Sequence, residues 1–323
     1  MDQVCLTEFI FDGYTHNMLA RVRKLYDATL KLLSLDRRLD EIKINQGLIL
    51  TELNRHKDSL ILSDYEFKVF SQWGEDGILQ FLTANIDIRN KTFIEFGVED
   101  FLESNCRFLL MKDIWQGFVI DGSSRNIDRL MASYFYWRYP LSAKAAFVTR
   151  ENVSKLLDVS GFDRDLGILS IDIDGVDYFV LEQLQEWRPC ILVAEYNGVF
   201  GMTSPVSVPY KPDFQRTRQH PSNLYYGASL SAFVHLLQGR GYALVGVNSV
   251  GSNAFFVRRE LLNDRVREVA LENCYQTSCF RESRDSSGRL TFLAGNNRRE
   301  PIGHLPLVDV VTGRSLYVRD LHD

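Results

Sequence analysis

Three short segments of this chain place acidic groups at the ends of apolar runs, where they can do chemistry. The first is Glu95-Phe96-Gly97-Val98-Glu99-Asp100. A glycine at such a turn lets the backbone approach a bound cofactor closely. Asp121 ends the next apolar run, Phe118-Val119-Ile120. A carboxylate one βα unit after the glycine turn can accept hydrogen bonds from ribose hydroxyls. The second segment, Ser170-Ile171-Asp172-Ile173-Asp174-Gly175-Val176-Asp177, crowds three acids together. Their repulsion has to be offset by a metal, by protonation, or by donors at the start of the next helix. Asp172 and Asp174 face the same way if the strand continues, toward the crevice where α/β proteins bind ligands. Asp177 reads as a cap of the helix that begins near Val176.

The third segment is Glu195-Tyr196-Asn197. Carboxylates together with an amide carbonyl suit a hard divalent cation, Mg2+ or Ca2+. Such an ion would lower the pKa of a bound substrate hydroxyl. In the other reading, Asp172 and Asp174 contact substrate or cofactor directly. His220, in Gln219-His220-Pro221, is a candidate general base near neutral pH, although exposed loop histidines are more often bystanders.

These groups need a scaffold, and the apolar runs supply its outline. Thr92–Phe96, Phe118–Ile120, 145–148, 166–171 and 190–194 read as strands. They lack in-out alternation, which suits parallel strands covered on both faces. Helical stretches at 104–112, 151–157 and 176–187 separate them, a βαβ rhythm that predicts a doubly wound, mostly parallel α/β sheet. A polar segment from Gly198 to Tyr226 holds four of the eight prolines and reads as a lid or binding loop. Its Tyr210, Lys211, Arg216 and Arg218 suit a sugar or phosphorylated glycan, or simple loop anchoring. A helix at 230–238 and strands at 242–247 and 254–257 close the unit.

Residues 18–56 carry a different pattern. Leu25, Leu32, Leu39 and Leu53 recur at seven-residue intervals with Gln46 in the gap, and Ala28, Leu35, Ile42 and Ile49 form a second series three residues on. That is a coiled-coil seam and predicts self-association; the alternative is an amphipathic helix packed on its own domain. Gly47 weakens such a helix by ~1 kcal/mol. The expected organisation is an oligomerising helical segment over 1–60, a cofactor-binding domain over 61–260 and an extension over 261–323. A net charge of −5 argues against nucleic acid as a partner. No run approaches the ~20 apolar residues of a membrane span, and the N-terminus lacks a basic region followed by an apolar run. The five scattered cysteines read as reduced thiols, which makes the cytoplasm the expected location.

The segments Ser71-Gln72-Trp73-Gly74-Glu75-Asp76-Gly77, Glu95-Phe96-Gly97, Ser104-Asn105, Trp115-Gln116-Gly117, Ser170–Gly175 and Tyr226–Leu230 together resemble class I S-adenosylmethionine (SAM) methyltransferases. Within them the chain looks most like the FkbM-like group and related proteins of bacterial polysaccharide loci. The resemblance implies a Rossmann-like sheet of class I methyltransferase type. It implies SAM as cofactor, held by Gln72, Glu95, Gly97, Asp121 and Asp172, and a hydroxyl of a sugar or glycan intermediate as acceptor. Asp172, Asp174 and His220 become the candidate catalytic residues. The layout of strand-end acids also looks like metal-dependent O-methyltransferases, which implies a divalent cation on Asp174 (or Asp172), Glu195 and Asn197. One departure stands out: Phe101 follows Asp100 where a second glycine is usual, and its ring is expected to narrow the methionine pocket. A scaffold protein that has lost catalysis, or a metal-dependent hydrolase, is the rival reading.

Overall fold

A computed structural model describes residues 4–322, with side chains throughout except in parts of the first helix. The chain divides into two compact units, Met1–Gln46 and Gly47–Asp323. The second of these contains both the segment 61–260 and the tail from 261. The first helix, α1, runs Val4–Arg55. Among its seam residues, Leu35, Leu39, Ile42, Ile49 and Leu53 are exposed. The side chains of Leu25, Ala28 and Leu32 lie outside the described residues. Gly47 is buried, and a Cβ there would come within 2.5 Å of Phe108. Its missing side chain thus serves close packing at a cost in helix propensity.

The second unit is built on a seven-stranded sheet. Its elements in chain order are α2 (Glu75–Asn85), β1 (Thr92–Phe96), α3 (Arg107–Asp113), β2 (Gln116–Asp121), α4 (Ser124–Ala132) and β3 (Leu141–Ala145). Then follow α5 (Val153–Asp158), β4 (Ile168–Ile171), α6 (Asp177–Gln183), β5 (Ile191–Glu195), the short β6 (Val206–Ser207) and α7 (Arg216–Gln219). The last are α8 (Leu230–Gln238), β7 (Tyr242–Val247) and β8 (Asn253–Arg258). The order across the sheet is β3-β2-β1-β4-β5-β8-β7. The five strands from β3 to β5 are parallel, and β8 is antiparallel to both its neighbours. This is a doubly wound, Rossmann-like and mostly parallel sheet. The reversal of strand order falls between β1 and β4, where a crevice forms outside the carboxyl ends of the strands.

Central strands are buried on both faces, which explains their unbroken apolar runs: every residue of β4 is buried, and so is every residue of β7 at one edge. The other edge strand, β3, departs from expectation. The apolar run at 145–148 reads as a strand, but β3 ends at Ala145. Only Leu141 of β3 is buried, so Ser142 and Lys144 suffice there, and Phe147 and Val148 go instead into the crevice wall. The tail contributes β9 (Pro306–Asp309) and β10 (Ser315–Tyr317), which pair with β6 in a three-stranded sheet. Among the described residues no helix is long and apolar enough to cross a membrane.

Candidate functional site

A cleft of about 580 Å³ opens at the carboxyl ends of β1, β2, β4 and β5. That size suits a small-molecule site. Gln72, Glu95, Gly97, Asp121, Asp172 and Asp174 all line it, as does Glu195. The strand ends thus bring most of the sequence-predicted groups together, but several have duties that the sequence does not show.

Gly97 has φ +72°, and a Cβ there would stand 1.5 Å from the Asp172 carbonyl oxygen. The glycine turn therefore seats the β1 loop directly on the β4 loop. Glu95 is buried, and its carboxylate accepts hydrogen bonds from Ser104 Oγ (2.7 Å) and the Asn105 and Cys106 amides (2.8 and 3.1 Å). It anchors the entry to α3. Burial pushes its pKa up, and these three donors pull against that. Asp121 accepts from the Glu99 amide through Oδ2 at 2.8 Å, and through Oδ1 from the Ser123 amide at 2.8 Å and Asn126 Nδ2 at 3.3 Å. Oδ2 keeps a second lone pair. Glu99 and Asp174 are left-handed without being glycine, φ 48° and 52°, a strain of the kind that clusters at functional sites.

Phe101 does not narrow the cleft. Its ring is fully buried, parallel to Phe93 at 6.4 Å and tilted against Phe135 at 6.2 Å, away from the lining. Burying a ring of that size contributes roughly 2–3 kcal/mol, so its place is core, and its left-handed backbone (φ 63°) turns it there.

The acids of the second and third segments divide their work. Asp177 caps its own loop, accepting from the Ile173 and Gly175 amides at 2.8 and 3.0 Å. Asp172, Asp174 and Glu195 offer oxygens within 4.8 Å of one another. Loss of hydration, then the charges of Asp174 and Asp177, push Asp172 up to about 8, with a hydrogen bond to Glu195 opposing. Burial and the neighbouring Asp172 push Glu195 well above the usual carboxylate range. This pair therefore retains a proton at neutral pH. Arg216, which opens α7, donates from Nη1 to Asp174 Oδ1 at 2.5 Å, and its guanidinium lies 4.0 Å over the Tyr226 ring. Tyr226 in turn donates to Glu195 Oε1 at 3.4 Å. Repulsion among the acids is thus offset by a proton and an arginine.

Two of the predicted residues do not join the cleft. Asn197 is engaged elsewhere: its Oδ1 accepts from the Val199 amide at 3.0 Å, and its Nδ2 donates to the Leu224 and Tyr226 carbonyls. A buried amide so committed ties the long loop to β5 and is absent from the cleft lining. His220 also lies off the cleft; its Nδ1 faces Ser222 Oγ at 2.8 Å and its ring neighbours His304. The expected trio Asp174, Glu195 and Asn197 therefore does not form. Asp172, Asp174 and Glu195 remain as an acidic trio, and a cation could engage Asp174 only in competition with Arg216.

Other lining groups went unforeseen. Asn253 stands across from Glu195 in the β5–β8 register. Phe280 and Glu282 come from the tail, where Tyr196 Oη donates to the Gln276 carbonyl and the Cys279 amide to Val250 O, both at 2.8 Å. Trp73 meets Phe280 edge-on at 6.1 Å, closing the rim. No periodicity marks residues 275–282, and only their aromatic and acidic content hints at a site.

No family model matches the chain, and no curated protein sequence does. Among solved structures, the chain is similar to a putative O-methyltransferase from Klebsiella pneumoniae at 8% identity and TM-score 0.35, covering 66% of this chain and 87% of that one. It is similar to a SAM-dependent methyltransferase from Aquifex aeolicus at 9% identity and TM-score 0.33, with 58% and 90% covered. It is similar to the CurJ carbon methyltransferase at 9% identity and TM-score 0.37, covering 61% of this chain, and it spans only 57% of that protein's length.

Proposed function

We propose that the chain is a SAM-dependent methyltransferase acting on a polar acceptor, a sugar or glycan intermediate being the class that the sequence resemblance implies. One observation carries the reading. The Gly97 turn, Asp121 and the Asp172–Glu195 pair face one cleft at the switch point of a Rossmann-like sheet. The residues fit the cofactor. Asp121 Oδ2 has a lone pair to offer a ribose hydroxyl, and Ile120, Phe147 and Val148 give the β2–β3 side of the cleft apolar wall for an adenine. Gln72, Asn105 and Glu99 supply polar contacts nearer the β1 turn. Bound SAM supplies an already activated methyl group.

The chain's own part is to orient the acceptor and to take its proton. A carboxyl that titrates near the working pH suits a general base, and the Asp172–Glu195 pair meets that condition at the end opposite Asp121. Arg216 and Tyr226 hold the pair and Asp174 in place. Base catalysis here needs no metal, because Arg216 already neutralises Asp174. A catalytically silent scaffold is the poorer account of an open cleft that gathers both a ribose acceptor and a proton acceptor.

Calorimetry with S-adenosylhomocysteine tests the reading. Binding should be weakened about tenfold by Asp121→Ala, the loss expected for a charge-assisted contact. NAD should give no heat. Unchanged affinity in the variant, or preference for NAD, refutes the cofactor placement.

The seam of α1 supports a second proposal, that copies of the chain associate through this helix. Leu35, Leu39, Ile42, Ile49 and Leu53 repeat at heptad spacing and are exposed in the single chain, whereas large contiguous apolar surface is rare on monomers.

A further inference from the structure

The charge of the cleft names the acceptor more closely, on the condition that the methyltransferase reading holds. Eight of the lining residues are acidic, and Arg216 is the single basic one. Some of these acids have cations of their own: Asp174 has Arg216, Glu282 has Arg284 at 2.9 Å, and Glu103 has Lys68 at 3.4 Å. Glu95 and Asp121 are met by amide donors. Asp172 and Glu195 have each other, Tyr226 and a shared proton, and feel Arg216 only at second hand, since its hydrogen bond goes to Asp174.

A second observation points the same way. Asn253 lines the cleft opposite Glu195, and its Nδ2 is fixed by donating to Glu75 Oε1 at 2.9 Å. Glu75 accepts only, so the amide cannot be turned round. The other end, Oδ1, is buried with no hydrogen-bond partner, in a residue only 7% exposed. A buried acceptor without a donor is costly and calls for an N–H or O–H. Aromatic faces complete the surroundings, with Trp73, Phe214 and Phe280 in the walls. Acids plus aromatic rings favour an organic cation.

We propose that the acceptor carries a protonated amine, held by Asp172, Glu195 and the Asn253 carbonyl oxygen. Phosphorylated or uronate acceptors are excluded. The basic groups of the long loop do not rescue them: Lys211 is hydrogen-bonded to Gln219, and neither it nor Arg218 lines the cleft. An amino sugar satisfies both this charge and the sugar class of the broader reading.

Three probes sharing one ring test the idea: benzylammonium, benzyl alcohol and benzyl phosphate. Each is titrated by saturation-transfer NMR into the full chain saturated with S-adenosylhomocysteine. Benzylammonium should bind about tenfold more tightly than the alcohol, and the phosphate should not bind. Asp172→Asn and Asn253→Ala should each erode that preference. Calorimetry in two buffers of different ionisation enthalpy should show protons released by the wild-type chain when the cation binds, and none by Asp172→Asn. Equal binding of the three probes, tighter binding of the phosphate, no binding of any, or a preference untouched by both substitutions overturns the proposal. Should S-adenosylhomocysteine itself fail to bind, the methyltransferase reading is what falls. Binding of the homocysteine without charge selection removes only the acceptor class.

Discussion

Gly97→Ala separates two roles that the same glycine can play. The sequence suggests that the turn keeps a side chain out of a cofactor's way. The structure adds a stronger constraint, since the new methyl would stand 1.5 Å from a backbone oxygen of Asp172, well inside contact distance. An alanine at φ +72° costs about 1 kcal/mol from its backbone alone. Relieving the clash means parting two buried loops, and overpacking of that kind adds typically 1–3 kcal/mol. The expected loss is about 2–4 kcal/mol, a large share of a normal stability of 5–15 kcal/mol. Urea denaturation followed by circular dichroism reads it. Gly122→Ala is the control in the same cleft, because its Cβ would meet only Phe147, at an ordinary 3.5 Å. It should cost less than about 1 kcal/mol. S-adenosylhomocysteine affinity should fall in Gly97→Ala even where the protein is folded, because the moved turn carries the Glu99 amide that holds Asp121. Equal stabilities for the two variants would refute the packing role.

The remaining tests are smaller. The folded chain keeps a proton on Asp172 up to about pH 8, whereas the unfolded chain gives it up near the ordinary value of 3.8. This residue's contribution is therefore most favourable below that lower value and is lost as pH rises toward 8. Asp172→Asn should gain melting temperature relative to wild type across that window and level off above it; an equal gap at about pH 5 and about pH 8.5 would contradict this. Asn197→Ala strands one amide and two carbonyls, so it should destabilise by roughly 2–4 kcal/mol in urea, and a loss below about 1 kcal/mol would deny the anchor role. Magnesium chloride titrated into the chain should give no binding heat, since Arg216 holds Asp174 and Asn197 is spent; a saturable isotherm would restore the metal centre. Leu39→Glu with Ile42→Glu should lower the mass seen by light scattering, and an unchanged mass would rule out the helix seam as the association surface.

The strands were legible because burial on both faces writes itself as unbroken apolar residues, and β1, β2, β4, β5, β7 and β8 lie close to where those runs predict them. Helix α8 coincides with its predicted span for a related reason: Ser229 caps it, accepting from the Ala232 amide, and an apolar stripe follows. Besides the single turn α7 inside the long loop, two helices escaped. α2 begins at Glu75 behind a left-handed Gly74, where Asp76 gathers the amides of Val69, Phe70 and Ser71. That acid looks like a site residue until the amides around it are seen. α4 is mostly polar, with only Ile127 and Leu130 buried, so its apolar signal is thin.

The acids at the strand ends show what composition leaves undetermined. Glu95, Asp172 and Glu195 all follow or end apolar runs, and by residue type they are interchangeable. Their roles separate only through partners brought from elsewhere: Ser104 and two amides for Glu95, Arg216 for Asp174, and a shared proton for Asp172 and Glu195. Arg216 lies 42 residues after Asp174, in a segment with no period to fix where it returns. The same distance problem hides Asn253, which reaches Glu195 only because β8 inserts antiparallel beside β5. A cation site can be suspected from acids alone. The unpartnered oxygen of Asn253 serves a metal ion and an ammonium alike. What favours the ammonium is that Arg216 already occupies Asp174, Asn197 is spent on the loop, and Trp73, Phe214 and Phe280 turn aromatic faces to the cleft.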